Sequence, residues 1–219
     1  MGYTHYWHVK DMRAVGEALP LVANDLKQLL AKLPPLVGPD GTGKPILGPE
    51  TVEFNGVAPD DYETFWLDTN PKDYLETEQG LFNCCKTQYR PYDLAVQAVL
   101  VLLKYHSEFF KADSVTLSSD GNLLDWIKAC QLVEGLGYPV DPMWALGREV
   151  WQVKTRAGAV FYVEWPKQPD KDPAEWLGQM HQHGIIPFAP PFSFHGPLKG
   201  YPPGKPIQEG SGIYTTRGR

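Results

Sequence analysis

Cys84-Cys85-Lys86-Thr87-Gln88-Tyr89-Arg90-Pro91-Tyr92-Asp93 runs directly into Leu94-Ala95-Val96-Gln97-Ala98-Val99-Leu100-Val101-Leu102-Leu103, and the rest of the chain has to be arranged around these two segments. The second is too rich in apolar residues for an ordinary surface helix. Its polar positions, Asp93, Gln97, Lys104, Glu108 and Lys111, fall at spacings of four, seven, four and three. At about 3.6 residues per turn they share one narrow stripe, so most of the circumference is expected to be buried. Pro91 suits the first helical position, where its missing N–H costs nothing. Arg90 and Asp93 then flank the helix mouth, where unpaired N–H groups and the dipole favour a negative group. A buried helix with a polar, cysteine-bearing entry is the predicted anchor of the fold.

Upstream, Tyr3-Thr4-His5-Tyr6-Trp7-His8-Val9 is aromatic and β-prone and reads as a first strand, with Tyr3, His5, Trp7 and Val9 on one face. A helix follows, with Val22, Leu26, Leu29, Leu30 and Leu33 on one side. Pro20 is expected to start it or to kink an earlier turn beginning near Asp11, and Pro34-Pro35 to end it. The loop from Gly38 to Pro45 is glycine-rich but lacks P-loop spacing, and reads as turn chemistry. Residues 51–56 form a second strand closing on an Asn-Gly turn signal, 62–67 a third that carries Glu63, and 81–87 a fourth. Downstream, 114–118 reads as a fifth strand. Asp120 is expected to cap a helix whose apolar face is Leu123, Trp126, Ile127, Cys130 and Val133.

Grouped strands beside segregated helices predict an α+β fold: a mainly antiparallel sheet of about four to five strands covered by helices on one face. Composition shifts near Gly137-Tyr138-Pro139, which sets a core domain over 1–138 and an extension over 139–186. The extension holds a hairpin, turning at Arg156-Ala157-Gly158, and a helix opened by Asp172, Pro173 and Glu175. From 187 to 219 the chain carries seven prolines and six glycines, which excludes a regular helix or a central strand. Its aromatic residues favour an extended arm laid on another surface over a disordered tail.

The chain has 219 residues and a formal net charge of -6, with 20 Lys+Arg against 26 Asp+Glu. The acidic balance, with no basic run, argues against nucleic acid as the main partner. Three cysteines, two of them adjacent, do not make a disulfide framework and fit a reducing, cytoplasmic context. No secretory signal pattern opens the chain, and the longest apolar run is too short for a membrane span.

At Cys85-Lys86-Thr87 and Pro91-Tyr92-Asp93 the chain resembles an uncharacterised family of bacterial and phage proteins. Gly2-Tyr3-Thr4-His5-Tyr6-Trp7, Asp40-Gly41-Thr42-Gly43, Phe54-Asn55-Gly56, Glu63-Thr64-Phe65 and Ser119-Asp120-Gly121 resemble that family's other blocks, in order, over residues 2–133. The resemblance implies a domain boundary and no activity. The part beyond Asp141 is an addition to the pattern.

Four chemistries can be read from the residues. A thiol site would use Cys85 (or Cys84) before a helix N-terminus, with Lys86 and Arg90 favouring the thiolate, His5 or His8 as base, and Glu63 or Asp120 as orienting carboxylate. Burial of both cysteines as small core residues is the competing reading. Metal is not expected: His181 and His183 are two apart and point away from each other on a helix, and Cys84-Cys85 lacks a spacer. Asp60, Asp61, Glu63, Asp93 and Asp120 offer acid/base or cation chemistry, although capping alone accounts for Asp93 and Asp120. Finally, Trp165, Trp176, Phe188, Phe192, Phe194, Tyr201 and Tyr214 crowd the extension and the arm, as a minor core or a partner surface.

Two functions follow as expectations. The first is an interaction or assembly protein, such as a subunit of a phage particle, docking on a protein partner or on itself through its arm. The second is a small enzyme or ligand-binding domain with a site at His5, Glu63, Cys85, Arg90 and Asp120. No cofactor is expected for either.

Overall fold

The computed structural model describes residues 2–158, 160–166, 172–182, 189–195 and 213–215. The chain is α+β and divides into two compact units, Met1–Leu146 and Gly147–Arg219.

In the first unit β1 (Thr4–Val9) is followed by α1 (Met12–Leu29). Asp11 caps α1 by accepting the Ala14 N–H at 3.1 Å. Pro20 lies within the helix on its exposed face, so α1 is one helix, neither begun nor broken by the proline. Next come β2 (Leu36–Val37), β3 (Ile46–Leu47), β4 (Thr51–Gly56), β5 (Phe65–Asp68), β6 (Leu75–Thr77) and β7 (Gly80–Lys86). Then follow α2 (Asp93–Phe110), β8 (Val115–Ser119), α3 (Leu123–Glu134) and α4 (Pro142–Leu146).

The strands divide between two sheets. One is antiparallel in the order β6-β7-β1-β8, and the other gathers β2, β3 and β5 around β4. The Asn55-Gly56 pair does not make the turn that its sequence suggests, because the Asn55 amide is committed elsewhere. Its Oδ1 accepts the Gly56 and Tyr62 N–H groups, and its Nδ2 donates to the Tyr62 carbonyl and Thr64 Oγ1. A Cβ at position 56 would stand 2.5 Å from the Asp60 carbonyl oxygen and 2.8 Å from the Tyr92 ring, so glycine is there for close approach.

α2 is the core helix. Every residue from 95 to 104 is buried, including four valines and leucines in succession at 100–103 and the polar Gln97 and Lys104. The valines lower intrinsic helix propensity, but burial of each apolar side chain contributes about 1.5–3 kcal/mol and decides the outcome. The middle of the polar stripe is therefore buried, while Lys111 at its end is exposed. Gln97 bonds Tyr3 and Asp93, while Lys104 bonds Glu108 at 2.9 Å and the Val115 carbonyl at 3.4 Å. α1 and α3 flank α2, and Asp25 of α1 takes hydrogen bonds from His106 (2.7 Å), Tyr138 (2.8 Å) and Gln28 (3.2 Å).

The side of β1 that buries Tyr3, His5, Trp7 and Val9 meets the apolar interior; the other side carries half-buried Tyr6 and His8 against Phe82.

In the second unit β9 (Arg148–Thr155) and β10 (Val160–Pro166) form the antiparallel hairpin, with Gly158 at φ 86° in the turn. α5 (Pro173–Gln182) starts where the sequence places it, Asp172 accepting the Ala174 N–H at 2.8 Å. From the arm, β11 (Phe192–His195) pairs antiparallel with β9 and β12 (Ile213–Thr215) pairs parallel with β10. Phe192 and Phe194 are half-buried. Trp165, Trp176 and Tyr214 fall within β10, α5 and β12, their side chains outside the described set, and Phe188 and Tyr201 lie outside the described residues. Among the described residues no helix is long and apolar enough to cross a membrane.

Candidate functional site

The antiparallel register sets His5 between two neighbours, Cys85 on β7 and Ser119 on β8. All three lie in one cross-strand row of the sheet, and Asp93 at the start of α2 reaches His5 from there. His5 is buried, held edge-on between the Tyr3 and Trp126 rings. Its two ring nitrogens have different partners. Nε2 lies 2.6 Å from Asp93 Oδ1, and Nδ1 lies 3.0 Å from Ser119 Oγ. A carboxylate only accepts, so Nε2 carries the proton in the neutral ring and Nδ1 presents its lone pair to the serine hydroxyl.

Asp93 is anchored at both oxygens. Oδ1 also takes the Thr87 hydroxyl, and Oδ2 takes Gln97 Nε2 at 2.9 Å. It is the first residue of α2, but its carboxylate turns to β1 and leaves the helix end uncapped by a side chain. Capping is therefore not its role. At the other end, Ser119 Oγ accepts the Gly121 N–H at 2.9 Å, closing a tight turn at the end of β8. A Cβ on residue 121 would collide with the Tyr3 hydroxyl and come within 2.8 Å of Asp125 Oδ2, so only glycine lets this turn approach the site. Burial holds the Tyr3 phenol far above its ordinary pKa, the charges of Asp93 and Asp125 add to this, and a hydrogen bond with Ser119 works against it.

Asp120 does not cap α3. It lies too early, and its carboxylate points back across the sheet to the Thr4 N–H (3.0 Å) and the Tyr6 hydroxyl (3.3 Å). Asn122 is the cap, accepting from Leu124 and Asp125, with Asp125 returning a bond to the Asn122 N–H.

Of the two readings of the cysteines, burial holds for Cys85, while Cys84 is exposed. Cys85 is 1% exposed, and burial pushes its thiol far up, with Glu63 and Asp93 adding negative charge. Its Sγ faces the Glu63 carbonyl at 3.7 Å. The exposed Cys84 is also raised, by partial burial and by Glu63. Neither cation offsets this: Arg90 pairs with Asp60 at 3.5 Å and Lys86 lies over the Tyr62 ring. Burial thus favours the protonated thiol at Cys85 over the thiolate. Glu63 is exposed, just ahead of β5, and accepts the Lys86 N–H at 2.7 Å, away from the His5 cluster.

Of the residues singled out in the sequence, His5 stands at the centre, Asp120 and Cys85 border it, and Glu63 and Arg90 stand apart. Ser119, Thr87, Gln97 and the role of Asp93 were missed. The signal was present in the quoted blocks, since Tyr3 and His5, Thr87 and Asp93, and Ser119 and Gly121 come from three of them. Among the described residues no cluster of three His, Cys, Asp or Glu is placed to hold a metal ion. No family model matches the chain, and neither a curated protein nor a solved structure is similar to it.

Proposed function

We propose that the first unit is a small acyl-transfer enzyme, a hydrolase of esters or related acyl compounds, with Ser119 as nucleophile, His5 as general base and Asp93 as orienting carboxylate. The observation that carries this reading is the unbroken line from Ser119 Oγ to His5 Nδ1 (3.0 Å) and from His5 Nε2 to Asp93 Oδ1 (2.6 Å). Nucleophile, base and orienter in series are recognised by such geometry and not by chain order. The two nitrogens are used in the reverse of the commonest arrangement, which leaves the acid–base logic intact.

Ser119 Oγ would attack the acyl carbon while its proton passes to Nδ1, and the resulting imidazolium would be stabilised by Asp93 across Nε2. Collapse breaks the C–O bond to the leaving group, which takes the proton from Nδ1. Water then repeats the sequence on the acyl-serine and releases the acid. The Gly121 N–H donates to Oγ at 2.9 Å and holds the hydroxyl oxygen in place beside Nδ1. Ser119 is half-buried, whereas His5 is buried, so substrate would arrive from the serine end.

The test is hydrolysis of 4-nitrophenyl acetate by the whole chain, by Ser119→Ala and by Asp93→Asn. Removal of one member of such a set lowers kcat by about 10⁴, so both variants are expected to fall to the background rate while keeping the fold. Equal rates in all three would reduce the network to a buried polar tie between β1, β8 and α2.

A second reading keeps the arm as a docking device. It is favoured by β11, which the order β11-β9-β10-β12 places at an edge of its sheet. Such an edge is a template for strand addition by another chain. Native mass by light scattering, on the whole chain and on residues 1–186, tests it. A larger assembly only for the whole chain supports docking, and two monomers remove self-association.

A further inference from the structure

Asp93 opens α2, where a carboxylate is ordinarily drawn to the first N–H groups of the helix. Here those groups are already served by the turn before it. The N–H groups of Asp93, Leu94 and Ala95 donate to the carbonyls of Arg90 (2.9 Å), Pro91 (3.4 Å) and Tyr92 (2.9 Å). The Asp93 carboxylate is thereby released from capping, and three donors from three parts of the fold hold it towards β1. His5 Nε2 and the Thr87 hydroxyl meet Oδ1, and Gln97 Nε2 meets Oδ2 at 2.9 Å. Thr87 and Gln97 are buried polar residues, and both are themselves fixed. Thr87 lies between β7 and α2, with its N–H on the Tyr3 carbonyl (2.9 Å) and its own carbonyl taking the Arg90 N–H (3.0 Å). Gln97 stands one helical turn beyond Asp93 and gives its second amide hydrogen to the Tyr3 hydroxyl (3.3 Å). Tyr3, two residues before His5, is thus tied to both.

We propose that Thr87 and Gln97 are positioning residues: together they hold the Asp93 carboxylate on His5 Nε2, which fixes the ring in the tautomer that leaves Nδ1 as a base towards Ser119. The catalytic consequence rests on the acyl-transfer reading; the tautomer does not. A carboxylate held by His5 alone is free to rotate about its side-chain bonds, and the imidazole then loses the partner that distinguishes its two nitrogens. Thr87 and Gln97 are both buried, so neither is placed to bind substrate, and their effect falls on the chemical step.

The experiment uses the whole chain, with Thr87→Val and Gln97→Met each removing one donor at similar volume and Thr87→Ser keeping the hydroxyl. Long-range proton–nitrogen spectra of the imidazole, at mildly alkaline pH, read the tautomer of His5, and hydrolysis of 4-nitrophenyl acetate reads kcat and KM. The wild-type ring is expected in the Nε2–H form, with the Nδ1–H form rising in Thr87→Val and in Gln97→Met and falling back in Thr87→Ser. Loss of one hydrogen bond to a charged group corresponds to a fall of roughly ten- to a hundredfold in kcat, with KM unchanged, and Thr87→Ser recovers most of it. A wild-type ring in the Nδ1–H form, a tautomer unmoved in both Thr87→Val and Gln97→Met, or a Thr87→Ser ring as altered as that of Thr87→Val overturns the positioning role. A tautomer that moves as expected in a chain that never cleaves the ester keeps the clamp on His5 and discards the acyl-transfer step. Cleavage at equal kcat in the wild type, Thr87→Val and Gln97→Met does the reverse.

Discussion

Gln88 and Tyr89 concentrate the residue-scale tension of this protein, since two consecutive side chains occupy backbone space that suits glycine. Glycine at 88 would release about 1–2 kcal/mol of steric strain while costing about 0.5–1 kcal/mol in unfolded-chain entropy. Gln88→Gly is therefore expected to stabilise the chain by up to about 1 kcal/mol, read as a rise in the urea midpoint at constant m-value. A fall would mean that the Gln88 side chain makes a contact worth more than the strain. The site residues themselves were only partly legible. Period two on the first strand puts His5 on one face with Tyr3, Trp7 and Val9, and the structure makes that face the buried one. What brings Ser119 opposite His5 is the register of β1 against β8, positions 114 residues apart in sequence, and long-range register leaves no local trace. The choice between the two readings of Cys85 turned on a related point. Lys86 and Arg90 are close in sequence, but strand alternation and the following turn send their charges elsewhere, while burial governs Cys85.

At the scale of elements, the helix starts show how capping signals compete. Asp120, Asn122 and Asp93 are all reasonable caps by residue type, yet only Asn122 has both the spacing and a reciprocal partner, Asp125. The other two carboxylates are drawn to β1 by Thr4, Tyr6 and His5. Asn122→Ala is expected to destabilise the chain by about 1 kcal/mol, whereas Asp120→Ala should leave α3 intact and act on the β1–β8 junction. Thermal melts followed at 222 nm, with amide exchange in 123–134, separate the two; faster exchange there in Asp120→Ala would restore it as the cap. α2 was the most legible element because an unbroken apolar run admits few placements. The burial of Gln97 and Lys104 within its polar stripe was not legible, since their identity does not reveal that buried partners wait for them.

For the whole molecule, burial has a pH signature. The phenols of Tyr3, Tyr74 and Tyr92 and the thiol of Cys85 are all raised chiefly by burial, and the Cys130 thiol is pushed up to about 12. Raised values favour the protonated form in the folded state. Their contribution is therefore fully present below the unfolded pKa values, about 8.5 for a thiol and about 10 for a phenol, and is lost as pH climbs towards the folded ones. Melting temperature is expected to hold between about pH 7 and 8 and to fall steadily above about pH 9; a flat profile to pH 11 would contradict the burial of these groups. The α+β class was legible from the order of elements. The split of the first unit's strands into two sheets was not, because alternation identifies a strand without naming its neighbour.

The most direct test of the central claim is to incubate the whole chain with a fluorophosphonate and map the adduct by peptide mass. The Ser119–His5–Asp93 line predicts a single stoichiometric phosphonyl adduct on Ser119, absent in Ser119→Ala and strongly slowed in Asp93→Asn. No adduct, or one on another residue at an equal rate in all three proteins, would mean that the serine is not activated and that the acyl-transfer reading is wrong.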